Sequence, residues 1–181
     1  MMIALTGFMG SGKTTVGKVL ADFLGCPFMD LDDLVVKKAG KSIPDIFAQD
    51  GEPAFRQLEA QVLRKTVEKY AESAAVLALG GGAVLAPPSA ALLHEKTVCI
   101  YLRASLETLL ARLEGETAGR PLLQEIPDQV GDDVMPGPDR ASVSARLAAR
   151  EPIYEETAHV IIDTDGLSPD EVADEIIISA L

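Results

Sequence analysis

The sequence predicts an α/β domain built on a mostly parallel sheet. Three observations carry this. Short apolar runs alternate with longer amphipathic ones along 181 residues, the pattern of strand–helix–strand units joined by right-handed crossovers. The first apolar run leads into a glycine-rich loop that opens directly into a helical pattern. No internal repeat interrupts the alternation, and the length suits one domain with a core of its own.

The elements follow in chain order. Met2–Thr6 (MIALT) is the first strand. Lys13–Leu24 puts Val16, Leu20 and Phe23 on one helical face. Residues 27–30 (PFMD) form a second strand, and a helix over about 54–71 aligns Phe55, Leu58 and Val62. From 73 to 94 there is no charged residue, a length that suggests a membrane span. However, Gly80, Gly81, Gly82, Pro87 and Pro88 would leave a lipid-facing helix broken, so a buried strand at 75–79, a loop and a short helix fit better. A strand at 97–102, helices at 105–113 and 142–150, and the strand Val160–Asp163 come next. The last helix, 169–181, opens on a capping box, with Ser168 before it, Pro169 in its first turn and Glu171 three residues after the serine. One segment departs from the alternation. Residues 121–139 carry four prolines, two glycines, five acidic residues and no Lys or Arg, between Arg120 and Arg140. It reads either as a tolerated surface insertion or as a lid over a site.

Composition narrows the function. The chain is 48% apolar and 24% charged, with a net charge of −12. That balance excludes broad binding to nucleic acid or an anionic membrane, both of which need a basic surface; an anionic ligand requires a local cationic cleft. Cys26 and Cys99 form no CxxC pair and read as small buried hydrophobes. His94 and His159 are isolated in sequence and suggest no metal centre. The start MMIAL is short, lacks a basic flank and runs into glycines, unlike an export signal. The expectation is a soluble cytoplasmic monomer.

Gly7 to Thr14 reads G-F-M-G-S-G-K-T, a phosphate-binding loop of the form G-x-x-x-x-G-K-[ST]. At ordinary composition a chance match in this length is on the order of one per cent, and its place between a strand and a helix is the one the chemistry requires. Backbone N–H groups of Gly10, Ser11, Gly12, Lys13, Thr14 and Thr15 can turn towards phosphate oxygens at the positive end of a helix. Lys13 reaches the outer phosphates and the Thr14 hydroxyl can ligate Mg²⁺. The loop alone does not separate kinase, ATPase, GTPase and switch. The apolar strand at 75–79 ends in glycines, not in a metal-binding Asp. Asp30 and Asp32, two apart at a strand's end and therefore able to point the same way, become the candidates for metal and acceptor chemistry. Arg56 and Glu59 stand three apart on one helix, the spacing of an exposed ion pair. Arg150 near a helix end would complement that helix's dipole. Gly80, Gly81 and Gly82 form either a loose turn or a place where a ligand approaches backbone closely.

Taken in order, GFMGSGKTTVGKVLA, D-L-D at 30–32, GKSIPDIFAQDGEPAFRQLE, LGGGAV, RPLL from Arg120 and REPIYEETA resemble the shikimate kinase family over nearly the whole chain. The resemblance implies a P-loop nucleoside-triphosphate-hydrolase-like three-layer α/β/α sandwich. Its five-stranded parallel sheet has the order 2-3-1-4-5, and a mobile lid spans about 113–141 of a single domain, 1–181. It implies transfer of the γ-phosphoryl group of ATP to the 3-hydroxyl of shikimate, giving shikimate 3-phosphate and ADP, on the route to chorismate and the aromatic amino acids. Lys13, Asp32 and Arg120 would be catalytic, with Asp32 orienting the acceptor hydroxyl and Arg120 arriving with the lid. Thr14 and Asp30 would hold Mg²⁺. Arg112 and Arg120 would join the loop in binding ATP, beside an adenine-side loop from Ile162 to Pro169. Arg56 and Arg150 would grip the substrate carboxylate, Glu59 would fix Arg56, and Gly80, Gly81 and Gly82 would line the ring. Four features depart from the family: the Arg120-to-Arg150 separation is longer by about ten residues, Arg112 precedes Arg120 by eight where seven is more usual, Val36 stands where many members have an acid, and Leu167 replaces a basic residue near the nucleotide. The alternatives are a gluconate-type or nucleoside-monophosphate kinase, and a non-enzymatic nucleotide switch.

Overall fold

The computed structural model describes residues 1–118 and 139–180. Its elements are β1 (Met2–Thr6), α1 (Lys13–Leu24), β2 (Phe28–Asp30), α2 (Leu31–Ala39), α3 (Ile43–Lys69), β3 (Ala75–Ala78), α4 (Pro87–Lys96), β4 (Val98–Arg103), α5 (Leu106–Ala118), α6 (Arg140–Thr157), β5 (Val160–Asp163) and α7 (Pro169–Ala180). The five strands form one parallel sheet in the order β2-β3-β1-β4-β5, as the resemblance implied. Of the segment expected to be a lid, 113–118 continue α5 and 140–141 begin α6; 119–138, with Arg120, lie outside the described residues.

Strand alternation sorts the core into two layers. Ile3 and Leu5 of β1 face α1 and α7, packing with Val16, Leu20 and Ile176. Met2 and Ala4 face the other side, with Leu63, Leu77, Leu93 and Tyr154. β1 and β3 are buried along their whole length, which is why both read as unbroken apolar runs. α1 covers one face and α4 the other, so the connections leaving β1 and β3 diverge. The carboxyl ends of these two neighbours therefore open into the crevice where doubly wound sheets bind ligands.

Several elements differ from the sequence expectations. α2 was given no range from the sequence, where a helix start was only the alternative reading of Asp30 and Asp32; Asp30 caps it, Asp32 and Asp33 fill its first turn, Lys37 and Lys38 its last, and Gly40 closes it at φ 71°, the full set of end signals. α3 starts at Ile43, not near 54. Gly51, at φ 82° and ψ 167°, breaks it, and Pro53 restarts it in a first turn where a missing N–H costs nothing. The Phe47 and Phe55 rings, 4.7 Å apart, pack across the break. α6 runs on through Pro152 to Thr157, so Arg150 is not near a helix end and the dipole reading fails. His94 and His159, separate in sequence, stack with ring centroids 4.4 Å apart; the His159 Nδ1 accepts the Cys99 N–H. Both cysteines are free thiols. Burial pushes the Cys99 thiol up to about 12, which suits an inert core residue. Among the described residues, no helix is long and apolar enough to cross a membrane.

Gly17 lets α1 approach the sheet: a methyl there would lie 2.6 Å from the Phe28 ring and 3.3 Å from Leu5. Alanine is intrinsically the better helix former by about 1 kcal/mol, but overpacking costs about 1–3 kcal/mol. Gly17→Ala should therefore lower stability by about 1 kcal/mol in urea unfolding; a raised midpoint would contradict this packing.

Candidate active site

The phosphate loop is shaped by its glycines. Gly10 (φ 81°) and Gly12 (φ 95°) take left-handed conformations that a side chain would strain. Gly12 is the N-cap of α1 and offers no side-chain cap, and the first turn holds no acidic residue. The helix thus presents bare N–H groups at its positive end. The Lys13 ammonium bridges the loop, donating to the carbonyls of Gly7 at 2.9 Å and Phe8 at 2.8 Å. Ser11, Thr14 and Thr15 occupy the predicted places in the loop and first turn. Beside it lies a cavity of about 440 Å³ whose walls include Gly12, Thr15, Arg112, Thr164 and Leu167. Arg112 donates to the carbonyls of Gly10 at 3.2 Å and Thr164 at 3.3 Å, fastening α5 to both rims. The segment after β5 therefore reaches the loop.

At the other side of the loop, the Thr14 hydroxyl donates to Asp30 Oδ2 at 2.8 Å. Asp30 Oδ1 accepts the Asp32 N–H at 3.0 Å, capping α2. This corrects the strand argument: Asp32 lies in the first turn of α2, and its backbone N–H, through the cap, is what ties it to the Asp30 carboxylate. Thr14 and Asp30 are hard oxygen donors and fit a magnesium ion that takes its remaining ligands from phosphate and water. Among the described residues no cluster of three or more His, Cys, Asp or Glu could hold a metal ion.

The acceptor candidates converge on the turn after β3. A methyl on Gly82 would sit 2.6 Å from Arg56 Nη1; on Gly80, 2.9 Å from Asp32 Oδ1 and 3.1 Å from Glu59 Oε1; on Gly81, 3.7 Å from Arg150 Nη1. The turn is thus a close-approach site, not a loose one. Arg56 donates to Glu59 Oε2 at 3.0 Å and lies 3.4 Å from Glu52. Glu59 is only 4% exposed, so this pair is not the solvated surface pair its spacing suggested. Arg150, 7% exposed, lies over the Phe8 ring, 5.9 Å from its centroid, a cation–π contact. Phe8, Glu52 and Tyr154 were given no role from the sequence. Phe8 sits among the unspecified loop positions, whereas Tyr154 stands in the REPIYEETA motif and could have been singled out.

A phosphate loop at the crevice of a parallel sheet, with a hydroxyl–carboxylate pair beside it and two arginines facing a bare backbone turn, defines a P-loop small-molecule kinase. The shikimate kinase family model matches residues 9–180. The chain is 44% identical over 165 residues to the shikimate kinase of Salinibacter ruber, covering 91% of this chain and 78% of that one. It superposes on the shikimate kinase from Acinetobacter baumannii, solved in complex with shikimate, with a TM-score of 0.80 at 35% identity, covering 97% and 90% of the two chains. For the shikimate kinase of Bacteroides thetaiotaomicron the TM-score is 0.83 at 28% identity, covering 100% and 99%. The chain belongs to the shikimate kinase family.

Asp30 carries a structural task as well as its candidate metal task, and the two separate by mutation. Asp30→Ala should cost about 1 kcal/mol through the lost cap, and Asp30→Asn only a few tenths, since asparagine caps as well. Thermal unfolding of both variants checks this; equal losses would mean the cap contributes nothing.

Proposed function

We propose that the chain transfers the γ-phosphoryl group of ATP to the 3-hydroxyl of shikimate, with the roles the family resemblance implies. The observation that supports this best is the convergence of Arg56, Arg150 and Asp32 on the 80–82 turn, directly beside the phosphate loop. Two guanidiniums suit a carboxylate fork to fork, and such a grip would hold that carboxylate away from the reacting hydroxyl. Gly80, Gly81 and Gly82 would line the ring, and Glu59 holds Arg56. Asp32, at the head of α2, orients the acceptor hydroxyl. Lys13 and the N–H groups of Gly10 to Thr15 neutralise the charge that spreads over the phosphoryl oxygens. Arg112 borders the nucleotide cavity. Magnesium, held by Thr14 and Asp30, would add further charge neutralisation when bound. Arg120, which lies outside the described residues, keeps the lid role implied by its RPLL motif.

The same reading takes the chain as a single domain, 1–181 with a lid over about 113–141, acting as a cytoplasmic monomer. A nucleoside-monophosphate kinase should show more basic residues around a base pocket, and a switch would not need the acceptor end at all; gluconate also bears a carboxylate that two arginines could grip, so turnover separates it from shikimate. ADP release with shikimate, gluconate or a nucleoside monophosphate as acceptor decides; faster turnover of either competitor than of shikimate overturns the proposal. Lys13→Ala should lose nearly all turnover while its melting temperature holds. Arg56 is about one-quarter solvent-exposed (23%), so Arg56→Ala should fall at the low end of the range for a buried charge pair, about 2–3 kcal/mol or roughly 30- to 150-fold in shikimate KM. ATP KM should change little; equal losses for both ligands would contradict the placement.

A further inference from the structure

The 80–82 turn has three carbonyls, and they have different partners. The Gly80 carbonyl accepts from Ala83 N at 3.1 Å and the Gly82 carbonyl from Leu85 N at 3.0 Å, so these two close the turn on itself. The middle one is held from outside: the Tyr154 hydroxyl donates to the Gly81 carbonyl at 2.6 Å. Tyr154 is fully buried, and its ring packs on Tyr101 of β4, with centroids 5.2 Å apart and planes tilted by 33°. The hydroxyl is therefore delivered to a fixed point. Tyr154 lies one helical turn after Arg150 on the same face of α6. A methyl at Gly81 would lie 3.7 Å from Arg150 Nη1 on one side and 3.8 Å from both the Gly7 carbonyl and the Met9 N–H group on the other. Gly81 is thus the point where the phosphate loop, the acceptor turn and α6 meet, and it has no side chain with which to hold itself there.

We propose that Tyr154 is a positioning residue which, through the Gly81 carbonyl, fixes the acceptor turn against Arg150 and the phosphate loop. The proposal rests on the phosphoryl-transfer reading above for its kinetic consequence, but not for its structural one. Removing the hydroxyl leaves the ring's packing in place and the Gly81 carbonyl without its donor, which frees the turn without opening a cavity.

The test is Tyr154→Phe, with Tyr101→Phe as control, because the Tyr101 hydroxyl is buried and has no hydrogen-bond partner among the described residues. For Tyr154→Phe, shikimate KM should rise roughly three- to tenfold, the size of one lost hydrogen bond. Changes in kcat and ATP KM should stay within about twofold, and amide hydrogen exchange over 81–84 should quicken. Tyr101→Phe should alter neither KM nor that exchange. A merely structural tyrosine would lower the melting temperature and raise both KM values together, or neither, and either result overturns the proposal. Unchanged exchange over 81–84 overturns it whatever the kinetics. Wild-type protein that ignores shikimate sinks the functional reading instead, and exchange then decides the Tyr154 tie by itself.

Discussion

The site depends on a stretch of backbone that carries no side chains. None of Gly80, Gly81 and Gly82 adopts a positive φ, so glycine is not needed there for its conformational freedom. At Gly80 and Gly82 it is needed for space. A Cβ on Gly80 would lie 2.9 Å from Asp32 and 3.1 Å from Glu59, and one on Gly82 2.6 Å from Arg56, whereas one on Gly81 would make only ordinary contact with Arg150 at 3.7 Å. These groups come from α2, α3 and α6. Three helices can aim charged groups at one crevice only because the strand end they surround is bare.

That arrangement answers an electrostatic problem posed by the whole chain. A net charge of −12 repels anions at long range, although salt screens the effect beyond about 8–10 Å. Anion affinity must therefore be local, in a cleft whose walls concentrate the field. The carboxylates nearest the cleft are already engaged. Asp30 accepts from Thr14 and from the Asp32 N–H, and Glu59 accepts from Arg56. Burying Glu59 is costly unless it is paired, and a guanidinium is the cation that can pair with it and still present other N–H groups elsewhere. The buried Glu59 thus restrains Arg56, whose Nε and Nη2 donate in turn to Glu52.

Much of this was legible in the sequence. The phosphate loop, both ends of β1, α1 and β5, and the strand at β3 followed from short-range pattern and from physics that acts within a few residues. The sheet order came from the resemblance; periodicity alone would not have given it. What escaped was tertiary or depended on context. Gly51 and Pro53 look like breakers and hid the first part of α3, because a break and restart in one helix carry the same residues as a loop. Pro152 made α6 look finished at Arg150, since nothing local shows that Tyr154 and Thr157 are buried beyond it. The Arg56–Glu59 spacing was correct for an ion pair, but spacing says nothing about burial. The His94–His159 stack joins α4 to the start of β5 across a large sequence separation, which no window can see.

The two halves of the site are positioned by different means, and this division constrains how such a chain can vary. The phosphate loop and the 80–82 turn leave adjacent parallel strands in register, with Leu5 opposite Ala78, and Leu79 N donates to the Leu5 carbonyl at 3.0 Å. Their separation is therefore set by sheet hydrogen bonds inside a fully buried pair of strands, the stiffest part of the molecule. In-line transfer tolerates little misplacement, so the donor-to-acceptor spacing is best fixed by the sheet. The residues that would recognise the acceptor sit instead on α2, α3 and α6, helices that lean on the sheet through side chains. On that reading, changing what α3 and α6 present would alter the acceptor grip, whereas changing Asp32 on α2 would disturb the transfer geometry as well. Changing the β1–β3 register would move every side chain to the opposite face and lose both halves at once.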